Sequence, residues 1–507
     1  MFAAFPLVFA ALAALHFPVL RLPYFWDEAG YYVPAALDFY LHDRLIPRLT
    51  QPVGHTPLVS IYLAAIWRLF GFTPLVTRAA MLAVAAAAVV TTYALSRRVA
   101  SREASLWSAL LLTLSPLFFA QSSLVFVDLA AAWFTALAML FILDYRPAWF
   151  MLAAALAVLS KETAVVMLPV VWTFAVWRRH ERRLIVWAAL AAPVIPLLVW
   201  ALYYHHATGY WTGNAGYLQY NLYSTLTPLH ICRSLLARLA EVCFQGFNWL
   251  LAGAALVGIA WRARRTRLGG AESSRQAGRS EMADFVFLTA GLMLAYVAML
   301  SLVGGAILPR YMLPVFPLFF ILAVRAIWNL PAAPARILCL VLAAAFVGAW
   351  FINPPYPFPY EDNLAYADFV RLHQQAAAYL ESLPGDPMIL TAWPATDELR
   401  QPFLGYVRHP LRVVAVRGFK SADLSDPPGF RIFYLYSRKW APPCNLLALP
   451  GPLRMDLDRF FQYEPPAAPA SLERRFHMKL LRQFKRRGQW VRIYSAPQRE
   501  KGAREGR

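Results

Sequence analysis

Charged residues are scarce in this 507-residue chain: Asp, Glu, Lys and Arg together make up 15% of it. Soluble globular proteins carry roughly 25%. The low charge excludes an ordinary soluble protein, because 59% of the residues are hydrophobic and fall into runs near the ~20 residues that cross a bilayer. The runs lie at 1–20, 79–96, 104–127, 184–204, 242–261, 285–309 and 337–360. The sequence therefore predicts a polytopic α-helical membrane protein.

Cysteine is also rare, with four residues in the chain and no C-x-x-C pair. That spacing excludes the common redox and zinc-binding motifs. A disulfide between Cys232 and Cys243 is considered only if their loop faces an oxidising compartment. An internal repeat is absent too, whereas many transporters are built from two related halves.

Lysine is nearly missing from the first 419 residues, where Lys161 is the only one, and arginine supplies most of the net charge of +20. The arginines cluster in short loops at 97–102, 178–183 and 262–279. Such loops stay cytoplasmic and attract anionic lipid, which explains the charge without a nucleic-acid partner. Alternating the runs from these loops gives about eleven transmembrane helices in the cell (inner) membrane, with a retained first helix, a cytoplasmic N-terminus and an extracytoplasmic C-terminal region.

Clustered prolines divide the chain into a membrane domain (1–352), a linker (353–362) and a soluble domain (363–507). In the last part, an amphipathic pattern at 363–385 and four strand-like runs predict a small extracytoplasmic α/β domain. The segment 471–488 is interpreted as a basic helix. Earlier in the chain, the aromatic-rich stretch 205–240 is interpreted as a mobile lid loop.

Seven polar residues lie close to the apolar runs, and the predicted topology brings them to the extracytoplasmic face: Asp27, Glu28, His55, Asp128, Lys161, Arg310 and Tyr311. Each also has a structural interpretation, such as a salt bridge, a helix cap, a solvated turn or a headgroup contact. A single lysine in an arginine-rich chain nevertheless favours a compact point charge for a phosphate oxygen.

The segments FWDEAGYY, GHTPLVSIYLAAIWRLFG, FVDLAAAWFTALAMLFI, LSKETAVVMLP and ILPRYMLPVFPLFFILA, in this order over residues 20–330, resemble the family 39 glycosyltransferases. That family belongs to the GT-C class and includes protein O-mannosyltransferases and the lipid A aminoarabinose transferase. The resemblance implies a GT-C-like fold and transfer of a hexose or pentose from a polyprenyl-phosphate donor. The acceptor would lie outside the cytoplasm and be a protein, lipid A, a glycan or another lipid, and the anomeric centre would be inverted.

This chemistry requires a carboxylate that takes the acceptor proton and cations that stabilise the departing lipid phosphate. We expect Asp27 to be the base, with support from Glu28, and Asp128 to orient the sugar or a basic partner. Lys161 and Arg310 are the expected phosphate partners, and His55 and Tyr311 would bond donor oxygens.

Three other interpretations remain open from the sequence. A transporter or flippase of lipid-linked sugars also needs charges near the membrane. A nucleotide-sugar transferase would use the D-x-D at Asp456–Asp458, and a scaffold would use no chemistry. The sequence specifies no certain cofactor; a divalent cation is considered, and its ligands are unknown.

Overall fold

The computed structural model describes residues 4–52, 54–178, 184–223, 225–267, 276–420, 430–440, 458 and 460–495. The chain forms two compact units. The helical unit comprises Met1–Leu20, Tyr31–Asn353 and Glu361–Leu364, and the sheet unit comprises Arg21–Gly30, Pro354–Tyr360 and Ala365–Arg507. The predicted domains are continuous in sequence, whereas these units interleave.

The helical unit contains seventeen α-helices within the described residues. They are α1 (Phe5–His16), α2 (Val33–His42), α3 (Leu58–Phe70), α4 (Pro74–Ser96), α5 (Arg102–Leu114), α6 (Pro116–Gln121), α7 (Val127–Leu143), α8 (Pro147–Ser160), α9 (Met167–Trp177), α10 (Leu184–Ala191), α11 (Val194–Thr208), α12 (Ala215–Leu218), α13 (Pro228–Cys243), α14 (Asn248–Arg267), α15 (Gln276–Leu302), α16 (Phe316–Ile327) and α17 (Ala332–Ala349).

Helix starts follow local sequence signals. The Thr73 side chain accepts a hydrogen bond from the Val76 N–H at the start of α4, and Ser101 caps α5 in the same way through Ala104. Proline stands at the first turn of α4, where its missing N–H costs no intrahelical bond. These caps satisfy N–H groups that a membrane could not hydrate.

Five helices among the described residues are long and apolar enough to cross a membrane, or six if the pair Pro228–Cys243 and Gln245–Arg267, bent by 41°, is one span. Five further apolar helices have 10–17 residues. A multi-pass membrane protein is confirmed, whereas eleven spans remain a prediction. One predicted span, 104–127, is interrupted at Ser115, which separates α5 from α6.

The break predicted at 160–163 is confirmed, because α8 ends at Ser160 and a 3₁₀ turn, Glu162–Val166, precedes α9. The interpretation of 205–240 as a loop is wrong for most of its length, since the end of α11, α12, the π-helix Gln219–Tyr223 and α13 occupy it. Cys232 and Cys243 are free thiols. They stand eleven residues apart on α13, which separates them by about 16 Å, too far for a disulfide.

The sheet unit contains helices α18 (Ala365–Glu381), α19 (Ala395–Arg400) and α20 (Pro469–Phe476) in its described part. Its strands are β1 (Ile389–Ala392), β2 (Val413–Val416), β3 (Ile432–Tyr436), β4 (Lys479–Arg486) and β5 (Gln489–Ser495). They form one sheet in the order β2-β1-β3-β5-β4. β1 is parallel to β2 and β3, while β5 is antiparallel to β3 and β4.

The predicted basic helix at 471–488 is confirmed only as far as Phe476 and is wrong beyond it. α20 ends at Phe476, and the chain then continues as β4, which pairs with β5 across a two-residue turn. Both turn residues, Arg487 and Gly488, have positive φ values of 44° and 84°. That geometry is typical of a tight hairpin, and the hairpin lets β4 add an edge to the sheet.

The segment Arg21–Gly30 packs within the sheet unit through its aromatic residues. The Phe25 ring meets the Phe369 ring edge-on at 5.3 Å, and Trp26 meets Trp393 at 5.6 Å. A Cβ on Gly30 would lie 2.5 Å from the Trp393 ring, so only glycine fits at that position. These contacts explain why residues 21–30 do not follow the predicted boundary at 352.

Candidate active site in the helical unit

Asp128 lies in the first turn of α7 with 1% of its residue surface exposed. The preceding residue pair, Phe126–Val127, passes from extended backbone into the helix. A carboxylate in the first turn is stabilised by the helix dipole, which favours negative charge there. Burial of a full charge remains costly unless cations neutralise it.

Lys161 is the first of those cations. Its Nζ donates to Asp128 Oδ1 at 2.5 Å, and its side chain is 7% exposed. The position follows from the chain path, because α7 and α8 pack together and α8 ends where α7 begins. Lys161 has extended backbone after Ser160, so the helix stops at the residue whose ammonium reaches Asp128.

Arg310 is the second cation, carried on the 3₁₀ helix Pro309–Val315. Its Nε lies 3.5 Å from Asp128 Oδ2, and its Nη1 lies 2.5 Å from Glu361 Oε2. The guanidinium also stacks 4.1 Å above the Phe126 ring centroid. Prolines at 309 and 314 restrict this segment, because neither supplies an N–H to a regular α-helix.

Tyr311 places its ring between cations. Lys161 Nζ lies 4.0 Å from the ring centroid, and the Arg310 and Arg238 guanidinium carbons lie 5.3 Å and 5.4 Å from it. An aromatic face attracts cations through its quadrupole, more strongly where water is excluded. The structure therefore joins Asp128, Lys161, Arg310 and Tyr311, as the sequence analysis expected, and adds a ring contact to their ion pairs.

Three functional candidates were missed in the sequence. Glu361 was assigned to the linker, Arg238 was assigned to the lid loop, and Glu241 lies one residue beyond that loop. Arg238 is fully buried and pairs with Glu241 Oε2 at 3.1 Å. It also donates to the carbonyls of Ala306 and Leu308, next to Arg310. An arginine and a glutamate three residues apart in an apolar stretch were the available signal.

His55 belongs to a neighbouring group in the same unit. Its Nδ1 lies 3.1 Å from both carboxylate oxygens of Glu162, the residue after Lys161. The rings of Tyr32 and Tyr217 lie 5.9 Å and 6.1 Å from the imidazole. Glu162 thus connects the histidine to the turn that carries Lys161.

Asp27 and Glu28 belong to the sheet unit. Glu28 is fully buried, and its Oε2 accepts a hydrogen bond from the Phe25 N–H at 2.7 Å. Asp27 is partly exposed. The two adjacent carboxylates therefore differ: Glu28 fixes the turn, while Asp27 reaches solvent.

Metal ligation was considered in the sequence without assigned ligands. In the described ranges, no group of three or more His, Cys, Asp and Glu residues has the arrangement of a metal site. Of the D-x-D pair, Asp456 lies outside the described residues. We accordingly assign no described residue as a metal ligand.

Residues 54–204 match the family model described as "Dolichyl-phosphate-mannose-protein mannosyltransferase". Over 97% of its length, the chain also superposes on 98% of apo ArnT from Cupriavidus metallidurans, with 14% identity and a TM-score of 0.53. The chain therefore has the ArnT fold. The resemblance to the GT-C glycosyltransferases predicted from the sequence is confirmed as a likeness of fold.

Two further solved structures are similar to this chain. ArnT from Cupriavidus metallidurans bound to undecaprenyl phosphate gives 15% identity and a TM-score of 0.53, with 97% and 98% coverage of the two chains. The Archaeoglobus fulgidus oligosaccharyltransferase in complex with Zn and sulfate gives 11% identity and a TM-score of 0.47, with 84% and 67% coverage. No curated protein matches the sequence.

Proposed function

We propose that this protein moves a sugar from a polyprenyl-phosphate donor to an acceptor on the extracytoplasmic side of the cell (inner) membrane, with inversion. The observation that carries the proposal is the buried set of Asp128, Lys161 and Arg310 with the Tyr311 ring. The same fold is present in ArnT bound to undecaprenyl phosphate, which supports a lipid-phosphate donor. The sugar is proposed as a hexose or pentose, and the acceptor as a protein, lipid A, a glycan or another lipid.

In the proposed step, an acceptor hydroxyl oxygen forms a bond to the sugar C1 while the bond from C1 to the phosphate oxygen breaks. The hydroxyl proton passes to a carboxylate, and the lipid phosphate leaves with an additional negative charge. We propose Asp27 as the base because it is the partly exposed carboxylate of its pair. Glu28 supports it by holding the turn.

Lys161 and Arg310 are proposed to stabilise the departing phosphate. Both side chains are almost fully buried. Their attraction to the phosphate is therefore stronger than in water, because the local dielectric constant is low. Asp128 and Glu361 pair with these cations, so the two charges remain tolerable in the absence of substrate. This arrangement assigns Asp128 to positioning the cations, one of the two roles expected for it.

His55 and Tyr311 complete the proposed donor site. Glu162 pairs with Nδ1 of His55, so Nε2 is the nitrogen proposed to bond a donor oxygen. Tyr311 is proposed to hold Lys161 through its ring as well as to bond the donor. A divalent cation is not required by these roles, and its participation stays a separate proposal.

To test this, purified protein in lipid nanodiscs is incubated with a radiolabelled polyprenyl-phosphate sugar, and the release of polyprenyl phosphate is measured. We expect release in the wild type and its loss by at least about tenfold in Lys161→Ala, since cation removal weakens transition-state stabilisation. The matched control is Lys479→Ala, an exposed lysine of β4. The same protein is also placed in lipid vesicles. If the sugar lipid crossed the vesicle membrane without being cleaved, this would support the transporter interpretation and overturn the proposed transferase.

A further inference from the structure

The sheet unit contains a cleft of about 680 Å³. Its described lining carries seven basic side chains and one carboxylate, Glu464. Binding sites for small molecules commonly occupy 300–1,000 Å³, so the cleft has the size of a saccharide site. It uses none of the residues assigned to the transfer step.

Strand register places the central cations together. Lys485 on β4 is paired with Trp490 on β5, so their side chains share one face of the sheet. Arg492 lies two residues beyond Trp490 on that face. Its guanidinium carbon lies 4.2 Å from the Trp490 ring centroid, which orients it beside an aromatic surface. Arg438 follows the end of β3 and also lines the cleft.

Charge pairing separates these residues from the other basic groups of the cleft. Arg486 and Arg487 pair with Asp368, and Lys420 pairs with Glu464 at 2.9 Å. In the part of the chain that the structure describes, none of the ion pairs includes Arg438, Lys485 or Arg492. Three cations thus face a concave volume without a carboxylate partner there.

We propose that this cleft binds a saccharide that carries a phosphate or carboxylate group. Lys485, Arg492 and Arg438 hold the anionic group, because guanidinium and ammonium donors form charge-assisted hydrogen bonds with phosphate and carboxylate oxygens. Trp490 and Tyr463 supply aromatic surface for the sugar ring. The choice of a saccharide rests on the proposed transferase function, and the cleft would then retain an anionic acceptor or donor portion.

The volume of about 680 Å³ favours a compact ligand over a nucleic acid. Single-stranded nucleic acid is bound along a groove that follows the backbone over several nucleotides, whereas these three cations line a single cleft. An anionic lipid headgroup shares the phosphate chemistry and is separated from a soluble saccharide by the experiment below.

The test measures binding to the full-length protein in uncharged phosphatidylcholine nanodiscs by isothermal titration calorimetry. The probes are glucose 6-phosphate, glucose and inorganic phosphate, and a fourth arm adds phosphatidylglycerol to the nanodisc. We expect glucose 6-phosphate to bind most tightly and its affinity to fall with added salt. Arg438→Ala with Lys485→Ala should weaken it about tenfold or more, since each hydrogen bond to a charged group contributes to affinity.

The matched control is Arg431→Ala with Lys479→Ala, which removes one arginine and one lysine from exposed positions of the same unit outside the cleft. It should leave the affinity within about twofold of the wild type, since exposed charges beyond a Debye length are screened. An equal loss in both double variants, or equal affinity for phosphate and glucose 6-phosphate, would overturn the saccharide site. If phosphatidylglycerol in the nanodisc prevented binding of glucose 6-phosphate whereas glucose did not compete, the saccharide site would be overturned in favour of a lipid headgroup site.

Lys161→Ala separates this inference from the proposed function. The variant should lose transfer and retain glucose 6-phosphate binding, because Lys161 belongs to the helical unit. Wild-type protein that binds the sugar phosphate in the cleft but transfers no sugar would contradict the proposed function and leave the cleft site intact.

Discussion

Four buried charged residues of the helical unit form ion pairs that share partners. Asp128 contacts both Lys161 and Arg310, and Arg310 also contacts Glu361. Two carboxylates therefore balance two cations within this group. Removal of one member leaves its partner as a buried charge without a counter-ion. This destabilises the fold more than removal of both members of a pair.

We predict that Lys161→Met lowers the free energy of unfolding by about 3 kcal/mol, the scale for breaking a buried pair. Asp128→Asn combined with Lys161→Met should recover part of that loss, since the uncompensated carboxylate is then gone. Chemical unfolding in detergent of Asp128→Asn, Lys161→Met and the double variant would complete a double-mutant cycle. Additive losses would contradict a direct pair between Asp128 and Lys161.

The adjacent carboxylates Asp27 and Glu28 should separate in their effects. Asp27→Asn removes the proposed base and keeps the shape of the side chain, so transfer should fall by about 10²–10⁴-fold. Glu28→Gln weakens the acceptor of the Phe25 N–H, so the melting temperature should fall. Rates and melting curves of both variants test the assignment. Near-normal turnover in Asp27→Asn would contradict a base role for this residue.

Asp397 in α19 makes the stability of the sheet unit depend on pH. Burial raises the pKa of its carboxyl to about 6, while Arg400 opposes the shift. The folded state therefore holds a proton that the unfolded chain releases near pH 4. The stabilisation is complete below that pH and is lost as the pH rises through about 6.

We expect Asp397→Asn, which stays neutral, to become more stable relative to the wild type between pH 4 and pH 7. Hydrogen exchange of residues 389–400 measures this locally. A difference between variant and wild type that does not change over that range would contradict the raised pKa.

At the scale of elements, α14 and α16 approach closely at a small residue. A Cβ on Gly258 would lie 2.1 Å from the Ala326 carbonyl oxygen, whereas one on Gly253 would meet nothing within 4 Å. Small residues allow close helix packing in membranes. We predict that Gly258→Ala lowers the melting temperature and that Gly253→Ala, on the same helix, does not. Equal melting temperatures for the two variants would contradict this contact.

Helices were predictable where hydrophobic runs and breakers agreed. The lysine at 161 marked a real end of α8 because a charged residue followed a long apolar run. The helix prediction for 471–488 failed beyond Phe476. The alternation of basic and apolar residues there indicates a strand only when a pairing partner such as β5 is known. Pairing between distant segments is a tertiary effect that local pattern does not contain.

The site was partly predictable for a related reason. Asp128, Lys161, Arg310 and Tyr311 stood out as polar residues beside apolar runs, and the structure joins them. Glu361 and Arg238 were missed because their sequence neighbours looked like a linker and a loop. Only the folded chain brings Glu361 to Arg310, because the two residues are 51 positions apart in the sequence.

At the scale of the whole molecule, the helical unit separates its arginine-rich loops from its buried site. Asp128 lies in the first turn of α7, and Asp144, directly after the end of that helix, pairs with Arg98. The intervening helix is about 24 Å long. Arg325 donates to the Val99 carbonyl, and Gly258 of α14 adjoins Ala326, so the last turn of α14 lies toward the same end as Arg98.

This arrangement agrees with short basic loops on the cytoplasmic side and the site on the other. We predict the orientation from single cysteines in a cysteine-free background, labelled with an impermeant thiol reagent in spheroplasts. Arg97→Cys and Arg264→Cys should label only after permeabilisation, because both lie at the arginine-rich end. Trp211→Cys and Arg408→Cys should label at once, since the predicted topology places them outside.

All four positions are exposed, so protection reports the membrane barrier and not burial. Transfer activity of each variant provides the control for folding. Immediate labelling at 97 and 264 with protection at 211 and 408 would invert the topology and place the proposed site on the cytoplasmic face, where an extracytoplasmic acceptor is impossible. Different behaviour of 97 and 264 would instead contradict the grouping of the arginine-rich loops, because the packing of α14 against α16 requires both residues on one side in either orientation.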